Sequence, residues 1–506
     1  MTSYFEYLRK FLTAFFQHLG RFFGKAFGSP WTDVGNNFTE YNSLLSQHSG
    51  EFGFWGWFFW VLFLLLGIAL AAGLLFLIFI FLRKYIRFVK TELDKDELRQ
   101  QVERLNYELY QASIEKEKIL NLKVGYMGLR TGEEMSEEDK EIVSEVSSRF
   151  PKLTRVDNKY AEADVSIPEK AGLSLEELCN ALRNYAASQH HLYYTINTIR
   201  QLVAGLATSK LIILEGISGT GKTSLANALG KFLSFDSSLV PVQPSWKDRS
   251  ELLGYYNEFT KKFNETEFFK ALYIATYRKD LDVIVLDEMN LARIEYYFAE
   301  FLSIMEMTEK EKWIIDVVPN SMPGDPIHLV NGKLTVPQNI VFFGTANNDD
   351  STSTITDKVY DRAISIFFDD KGREFESTEQ EPISIPYAQF EAMFTEAKKQ
   401  FPISSDMVKK FETLDNFVIK HFKLAFGNRI IKQIETFIPV YVACGGSEID
   451  GYDFIFTNKI LKKFESLNIA YLRDEVVELD AFLTKLYGKN NFRLAHQKLE
   501  SILKAN

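Results

Sequence analysis

The hydrophobic pattern changes character along the chain. From Phe52 to Leu82 no charged residue interrupts a run of Phe, Trp, Leu and Ile. Wound as a helix, that run spans about 45 Å, more than the ~30 Å of a bilayer's hydrocarbon core. It predicts one transmembrane helix. Before it, Leu8, Leu12, Phe15, Leu19, Phe22 and Phe23 recur at helical spacing, with Arg9, Lys10, Gln17, Arg21 and Lys25 largely between them. That predicts an amphipathic helix, suited equally to a membrane interface, a partner helix or an oligomer contact. After the run, Leu98, Val102, Leu105, Leu109, Ala112 and Ile119 follow three- and four-residue steps, broken by Lys116. The pattern fits a short parallel coiled-coil stalk or one solvated helix. An acidic stretch follows, in which Ser136 and Asp139 form a capping-box variant.

Beyond "PEKAGLS" the period shortens. "LIIL" at Leu211, "LVPV" near Leu239, "VIVL" at Val283, "NIVFFGTAN" and "AISIFF" are short apolar runs separated by helical stretches. Five such runs predict a parallel sheet with helices on both faces, its ligand lying at the C-terminal ends of the strands. The expected fold class is therefore α/β.

Charge orients the chain. Trp55, Trp57 and Trp60 cluster at one end of the apolar run, and Arg83, Lys84, Arg87 and Lys90 at the other. The positive-inside rule puts the N-terminus outside and everything after Arg83 in the cytoplasm; a bacterial inner membrane is the expected location. A net charge of −10 over 506 residues argues against direct nucleic-acid binding by the surface as a whole and leaves a local basic groove or pore open. The two cysteines, Cys179 and Cys444, have no metal-ligand spacing and read as idle cytosolic thiols.

The candidate chemistry begins at "GISGTGKTS". Gly216, Gly219, Gly221, Lys222 and Thr223 fit G-x-x-x-x-G-K-[ST], between a buried-type strand and a helix. Glycines let backbone N–H groups face phosphates, Lys222 reaches the β- and γ-phosphates, and the Thr223 hydroxyl serves Mg²⁺. Ser218, Thr220 and Ser224 complete the predicted nucleotide-binding stretch. Asp287 and Glu288 end the "VIVL" strand, where one acid can hold the Mg²⁺ shell and its neighbour can polarise a water. Asn347 ends the next strand.

"GISGTGKTSL", "VQPSWKDRSELLGYYN", "VIVLDEMNLARIEYYFAEFLSIME" and "GTANNDDST" together resemble the AAA+ ATPases, in their McrB-like and dynein-related branch. The resemblance runs from about Leu192 to the C-terminus. It implies a ring, usually hexameric, with ATP and Mg²⁺ at subunit interfaces. It further implies Asp287 as the Walker B acid, Glu288 as catalytic base and Asn347 as the sensor-1 residue. Arg362 in "DKVYDRA" corresponds to an arginine finger reaching the neighbouring subunit, and Arg429 in "FGNRIIKQI" to a sensor-2 arginine on a helical lid. McrB-type GTPases carry M-N-x-x-D-x-S; here Ala346 and Thr352 replace the Met and the final Ser, so ATP is the expected nucleotide and GTP stays open. The "HLVNGKLTVPQN" stretch reads as an Asn-Gly hairpin, and "SWKDRSELLGYYNEFTKKF" as a loop with Trp246, Tyr255 and Tyr256. Each fits a central pore, a partner-facing surface or an ordinary surface loop. His190 and His191 lie on the helix before the first strand, where the family borders the base; a plain helix surface is the alternative.

The expected organisation is an extracytoplasmic segment (1–51), the transmembrane helix (52–82), a helical stalk (83–123), an acidic linker with helices (124–190), the nucleotide-binding domain (191–370) and a helical lid (371–506). The function implied is a membrane-anchored ATPase that remodels or gates an unidentified partner protein. The alternative is the NTP-driven motor or sensor of a restriction or antiphage defence system with a separate nuclease.

Overall fold

The computed structural model describes residues 2–24, 31–69, 72–73, 76, 80, 148–307, 309–347, 352–368 and 372–505. The predicted stalk and the acidic stretch up to residue 147 lie outside these residues, as does most of the apolar run beyond residue 69. The chain divides into two compact units, residues 1–114 and 115–506.

In the first unit, α1 (Thr2–Gly24) and α2 (Trp31–Ser49) are followed by helical residues 54–69. Phe11 packs on Tyr41 and edge-on to Phe63, with ring centroids 5.0 and 5.6 Å away. His18 Nδ1 lies 2.7 Å from Tyr41 OH, and Trp60 Nε1 donates to Tyr7 OH at 3.3 Å. The buried stripe of α1 is thus Tyr7, Ala14 and His18, one position off the predicted Leu8–Leu12–Phe15 face, and Phe15 is exposed. Aromatic residues with polar tips win the interior because each tip finds a partner there. By contrast, Trp55, Phe58, Leu62, Leu65 and Ile68 are exposed. Among the described residues no helix is long and apolar enough to cross a membrane.

The second unit opens with α3 (Pro151–Tyr160), α4 (Leu175–His190) and α5 (Ile196–Thr208). Ser174 and Glu177 close a full capping box on α4, and Pro151 sits in the first turn of α3. There follow β1 (Leu211–Gly216), α6 (Lys222–Phe232), β2 (Ser238–Pro241), the hairpin β3 (Gly254–Asn257) and β4 (Lys262–Glu265), α7 (Glu267–Ile274) and β5 (Asp282–Asp287). Next come α8 (Ala299–Ile304), β6 (Ile314–Asp316), β7 (Leu329–Val330), β8 (Lys333–Thr335), β9 (Ile340–Asn347), α9 (Asp357–Tyr360) and β10 (Ile364–Phe368).

Strands β10, β1, β9, β5 and β2 form, in that order, one parallel sheet. The period-2 rule divides their side chains between two cores. Ile212, Leu214, Val283, Val285, Ile364 and Ile366 enter one, and Leu211, Ile213, Ile284, Leu286 and Phe342 the other. The first core is shared with the C-terminal helices α10 (Tyr387–Gln400), α11 (Ser405–Phe422), α12 (Asn428–Ala443), α13 (Glu448–Lys459), α14 (Arg473–Tyr487) and α15 (Arg493–Ala505). It also takes Leu178, Cys179 and Leu182 of α4, a helix placed in the linker by the sequence reading.

The Asn331-Gly332 turn has positive φ at both residues (54° and 73°), the geometry an Asn-Gly hairpin requires. Its strands join β6 in a three-stranded sheet, with Leu329 and Leu334 buried. Trp246 and Tyr256 pack inward, whereas Tyr255 and Phe259 stand out on the β3–β4 hairpin at 52% and 85% exposure.

Candidate nucleotide site

The loop after β1 emerges between the edge strand β10 and the central strand β9. Gly216 has φ 139°, and a Cβ there would collide with the Phe368 carbonyl. Gly221 caps α6 at φ 89°, so the chain turns into the helix with its first N–H groups free to face a phosphate. Lys222, 7% exposed, donates from Nζ to the carbonyls of Gly216 (2.9 Å) and Ile217 (2.8 Å). Burial pulls its ammonium below the ordinary lysine range, while Asp287 and Glu288 pull the other way. Ser218 and Gly219 are exposed, Thr220 Oγ1 donates to Ile217 O at 2.8 Å, and Ser224 lies in the first turn of α6.

Three strand ends converge behind the loop. Asp287 closes β5, and its Oδ1 accepts from Thr223 Oγ1 at 2.8 Å and Thr345 Oγ1 at 2.7 Å. Thr345 Oγ1 in turn accepts from the Glu288 N–H at 2.8 Å. Glu288 itself has a left-handed backbone, φ 52°, which is costly for a non-glycine residue. Asn347 pairs with Gly216 across β9 and β1, and its carbonyl accepts from Asn290 Nδ2 at 2.9 Å. Lys222, Thr223, Asp287, Glu288 and Asn347 are therefore brought to one end of the sheet. The Thr223 hydroxyl and Asp287 carboxylate form a hard-oxygen pair that fits Mg²⁺.

Thr345, Tyr194 and Asn290 were not anticipated. Thr345 is a hydroxyl inside an otherwise apolar strand, which was a readable signal. Tyr194 OH donates to Gly221 O at 2.8 Å, and burial holds its phenol well above the usual range. It arrives from a loop with no motif. His190 turns to Tyr185 OH (3.3 Å), and burial lowers its imidazole; His191 is the left-handed C-cap of α4.

The two arginines lie elsewhere. Strand β10 runs parallel to β1 with Ile364 opposite Ile212, so Arg362 sits beside Ser209 at the strands' N-terminal ends. The six residues of β1 put roughly 20 Å between that end and the loop. Arg362 Nε donates to Leu302 O at 3.0 Å, and its Nη2 pairs with Glu306. Arg429, in the first turn of α12, pairs with the same Glu306 oxygen. Arg429, expected as a sensor-2 arginine, shares Glu306 with Arg362 and lines the same cleft as Lys210, which places it near the N-terminal ends of the strands. Both arginines line a cleft of about 630 Å³ with Lys210, Lys310, Lys398 and Lys432. The carboxylates there are Glu306 and Glu391. Lys210 Nζ donates to Gln338 O and Tyr387 OH, and burial pushes it down to about 7.

No family model matches the chain. It is 24% identical over 182 residues to the "Type IV methyl-directed restriction enzyme EcoKMcrB subunit" of Escherichia coli (strain K12), covering 34% of this chain and 38% of that protein. A full-length MCM homolog from Methanopyrus kandleri aligns with TM-score 0.32 and 11% identity, over 62% of this chain and 63% of the other. The chain thus spans less than two thirds of each. The parallel five-stranded sheet with its phosphate loop, together with the McrB similarity, supports an NTPase of AAA+ type.

Proposed function

We propose that this protein is a membrane-attached, ring-forming ATPase that uses Mg²⁺ and hydrolysis to remodel or gate a partner protein. The observation that carries the catalytic part is the hydrogen-bonded chain Thr223–Asp287–Thr345–Glu288 behind a glycine loop with a buried lysine. Phosphoryl transfer needs little covalent help from protein, so positioned charge suffices. Lys222 neutralises phosphate oxygens, Thr223 and Asp287 hold the metal shell, and Glu288 takes the proton of the attacking water. Mg²⁺ supplies charge neutralisation on the transferring group.

Arg362 completes the site of an adjoining subunit, which is why a ring is part of the reading. Arg429, bonded to the same Glu306 oxygen, is assigned to that same neighbour. Support for membrane attachment comes from helical residues 54–69, apolar on all sides and exposed on most of them. The run continues uncharged to Leu82. The N-terminus then lies outside and the ATPase unit in the cytoplasm.

Glu288→Gln is the test. Nucleotide binding is expected to persist while steady-state hydrolysis disappears. Wild-type turnover in that variant would sink the assignment. The McrB similarity favours a second reading, an NTP-driven subunit of a restriction or defence system. DNA- or RNA-stimulated hydrolysis, or a nuclease co-purifying with Glu288→Gln protein, decides for it.

A further inference from the structure

Glu215 is wholly buried in β1, one residue before Gly216. A carboxylate there needs strong compensation. It comes from around the edge strand β10. Lys462, in the turn after α13, places Nζ 3.3 Å from Glu215 Oε2, and Tyr360 OH donates to the same oxygen at 3.1 Å. Lys462 Nζ also lies 5.0 Å from the ring centroids of both Tyr360 and Phe367. It pairs with Glu465 at 3.2 Å, which in turn takes Lys498 of α15 at 2.6 Å. Burial pushes the Glu215 carboxyl up against the pull of Lys462, while the two carboxylates hold the Lys462 ammonium above its ordinary value despite burial.

The neighbours of Lys462 grip another place. Lys459 Nζ donates to Tyr360 O at 2.7 Å and to Ala363 O. Lys463 pairs with Asp361 at 3.0 Å. Residues 459–463 therefore hold both sides of Arg362 and, through Glu215, the residue that leads into the phosphate loop. Apolar side chains would cover the same strand edge without desolvating any charge, so stability alone does not call for this ion network.

We propose that Glu215, Lys462 and Tyr360 are positioning residues that couple the phosphate loop to Arg362, so that nucleotide in one subunit's loop sets the reach of its arginine toward the next subunit's site. The proposal rests on the ring ATPase reading. Filling the loop displaces Gly216 and with it Glu215, whose carboxylate is held by Lys462 and Tyr360. Tyr360 is two residues from Arg362, and Lys459 fixes the carbonyls between which the arginine is strung. The coupling runs through contiguous packed and hydrogen-bonded groups rather than across open space.

The test is the paired variant Glu215→Gln/Lys462→Met, compared with wild type as full-length protein in detergent. Removing one partner leaves a buried unpaired charge, whereas removing both is close to neutral for folding. The pair is expected to melt near wild type and to bind a fluorescent ATP analogue with unchanged affinity. Its kcat is expected to fall about tenfold with KM unchanged, within the span of ordinary site-to-site coupling. Lys462→Arg, which keeps the charge, restores most of the rate. A folded pair with wild-type kcat overturns the proposal. Should the pair not fold, Tyr360→Phe deletes only the hydroxyl on Glu215; a several-fold loss of kcat at constant KM supports the coupling, and an unchanged kcat overturns it. Wild-type protein that turns over no ATP, or whose rate survives Lys222→Ala, defeats the ATPase reading itself, a result distinguishable from an active wild type whose pair variant is equally active.

Discussion

At the C-terminal ends of β1, β5 and β9, Thr223, Asp287, Thr345 and the Glu288 backbone are tied into one hydrogen-bonded chain within the subunit. At the N-terminal ends of β1 and β10, Arg362 and Arg429 share a single carboxylate oxygen of Glu306, in a cleft with more cations than anions. The first arrangement is satisfied by hydrogen bonds within the subunit. The second carries positive charge in excess, held in place yet incompletely neutralised. In the proposed ring, phosphates bound at a neighbour's loop are the anion that would match that charge.

The comparison breaks most severely at the loop lysine. Lys222→Ala removes the ammonium from a loop whose carbonyls it bridges, and hydrolysis is expected to fall at least ~100-fold, as for loss of a principal transition-state charge. A phosphate-release assay on purified protein reads the effect. Retention of most of the rate would show that the loop end is not the catalytic end.

Arg362→Ala tests the other end. An arginine finger is worth roughly 10³–10⁵ in rate, so a large loss is expected without loss of nucleotide binding. The stronger form mixes Arg362→Ala subunits with Glu288→Gln subunits. Each is inactive alone, but a mixed assembly contains junctions where an intact Glu288 faces an intact Arg362. Partial recovery of turnover on mixing places the arginine in trans; no recovery confines both ends to one subunit. A smaller loss separates support from chemistry: Thr345→Val removes the hydroxyl that orders Asp287 and Glu288. About tenfold lower kcat is expected, with a stability cost of about 1–3 kcal/mol for the groups left unpaired, read by activity and chemical denaturation.

The strands and the loop were legible in the sequence because their signals are local. Four apolar residues before GISGTGKT and four before Asp287-Glu288 each fix a strand, its direction and the end at which its polar residues emerge. Arg362 and Arg429 were legible as residues but not as a pair. Their sharing of Glu306 depends on how α12 packs against α5, the helix that leads into β1, which no spacing encodes. Tyr194 was hidden for the same reason. The α1 stripe was displaced by one residue because hydropathy ranks leucine above tyrosine and histidine, whereas the interior of that unit rewards hydrogen-bonded rings such as His18 and Tyr41. Glu215 was invisible among its apolar neighbours until the lysine that faces it came from 247 positions further along the chain.

The smallest expected effect concerns pH and links the two ends through their common support. Lys459 is wholly buried, and burial pushes its ammonium from the ordinary 10.5 down to about 7. Unfolded chain holds that proton up to the ordinary value, whereas folded chain releases it near 7. Between these two pH values the unfolded state binds more protons, so stability from this group rises with pH and is lowest below 7. Lys459→Met deletes the titration, and the variant is expected to gain relative to wild type below pH 7 and lose that advantage as the pH climbs toward 9. Denaturant midpoints for both proteins across pH 6–9 measure the slope. Parallel curves would mean that Lys459 keeps its charge in the fold. Tyr360 and Ala363 would then be held by an ammonium, making the grip on the Arg362 segment electrostatic as well as hydrogen-bonded.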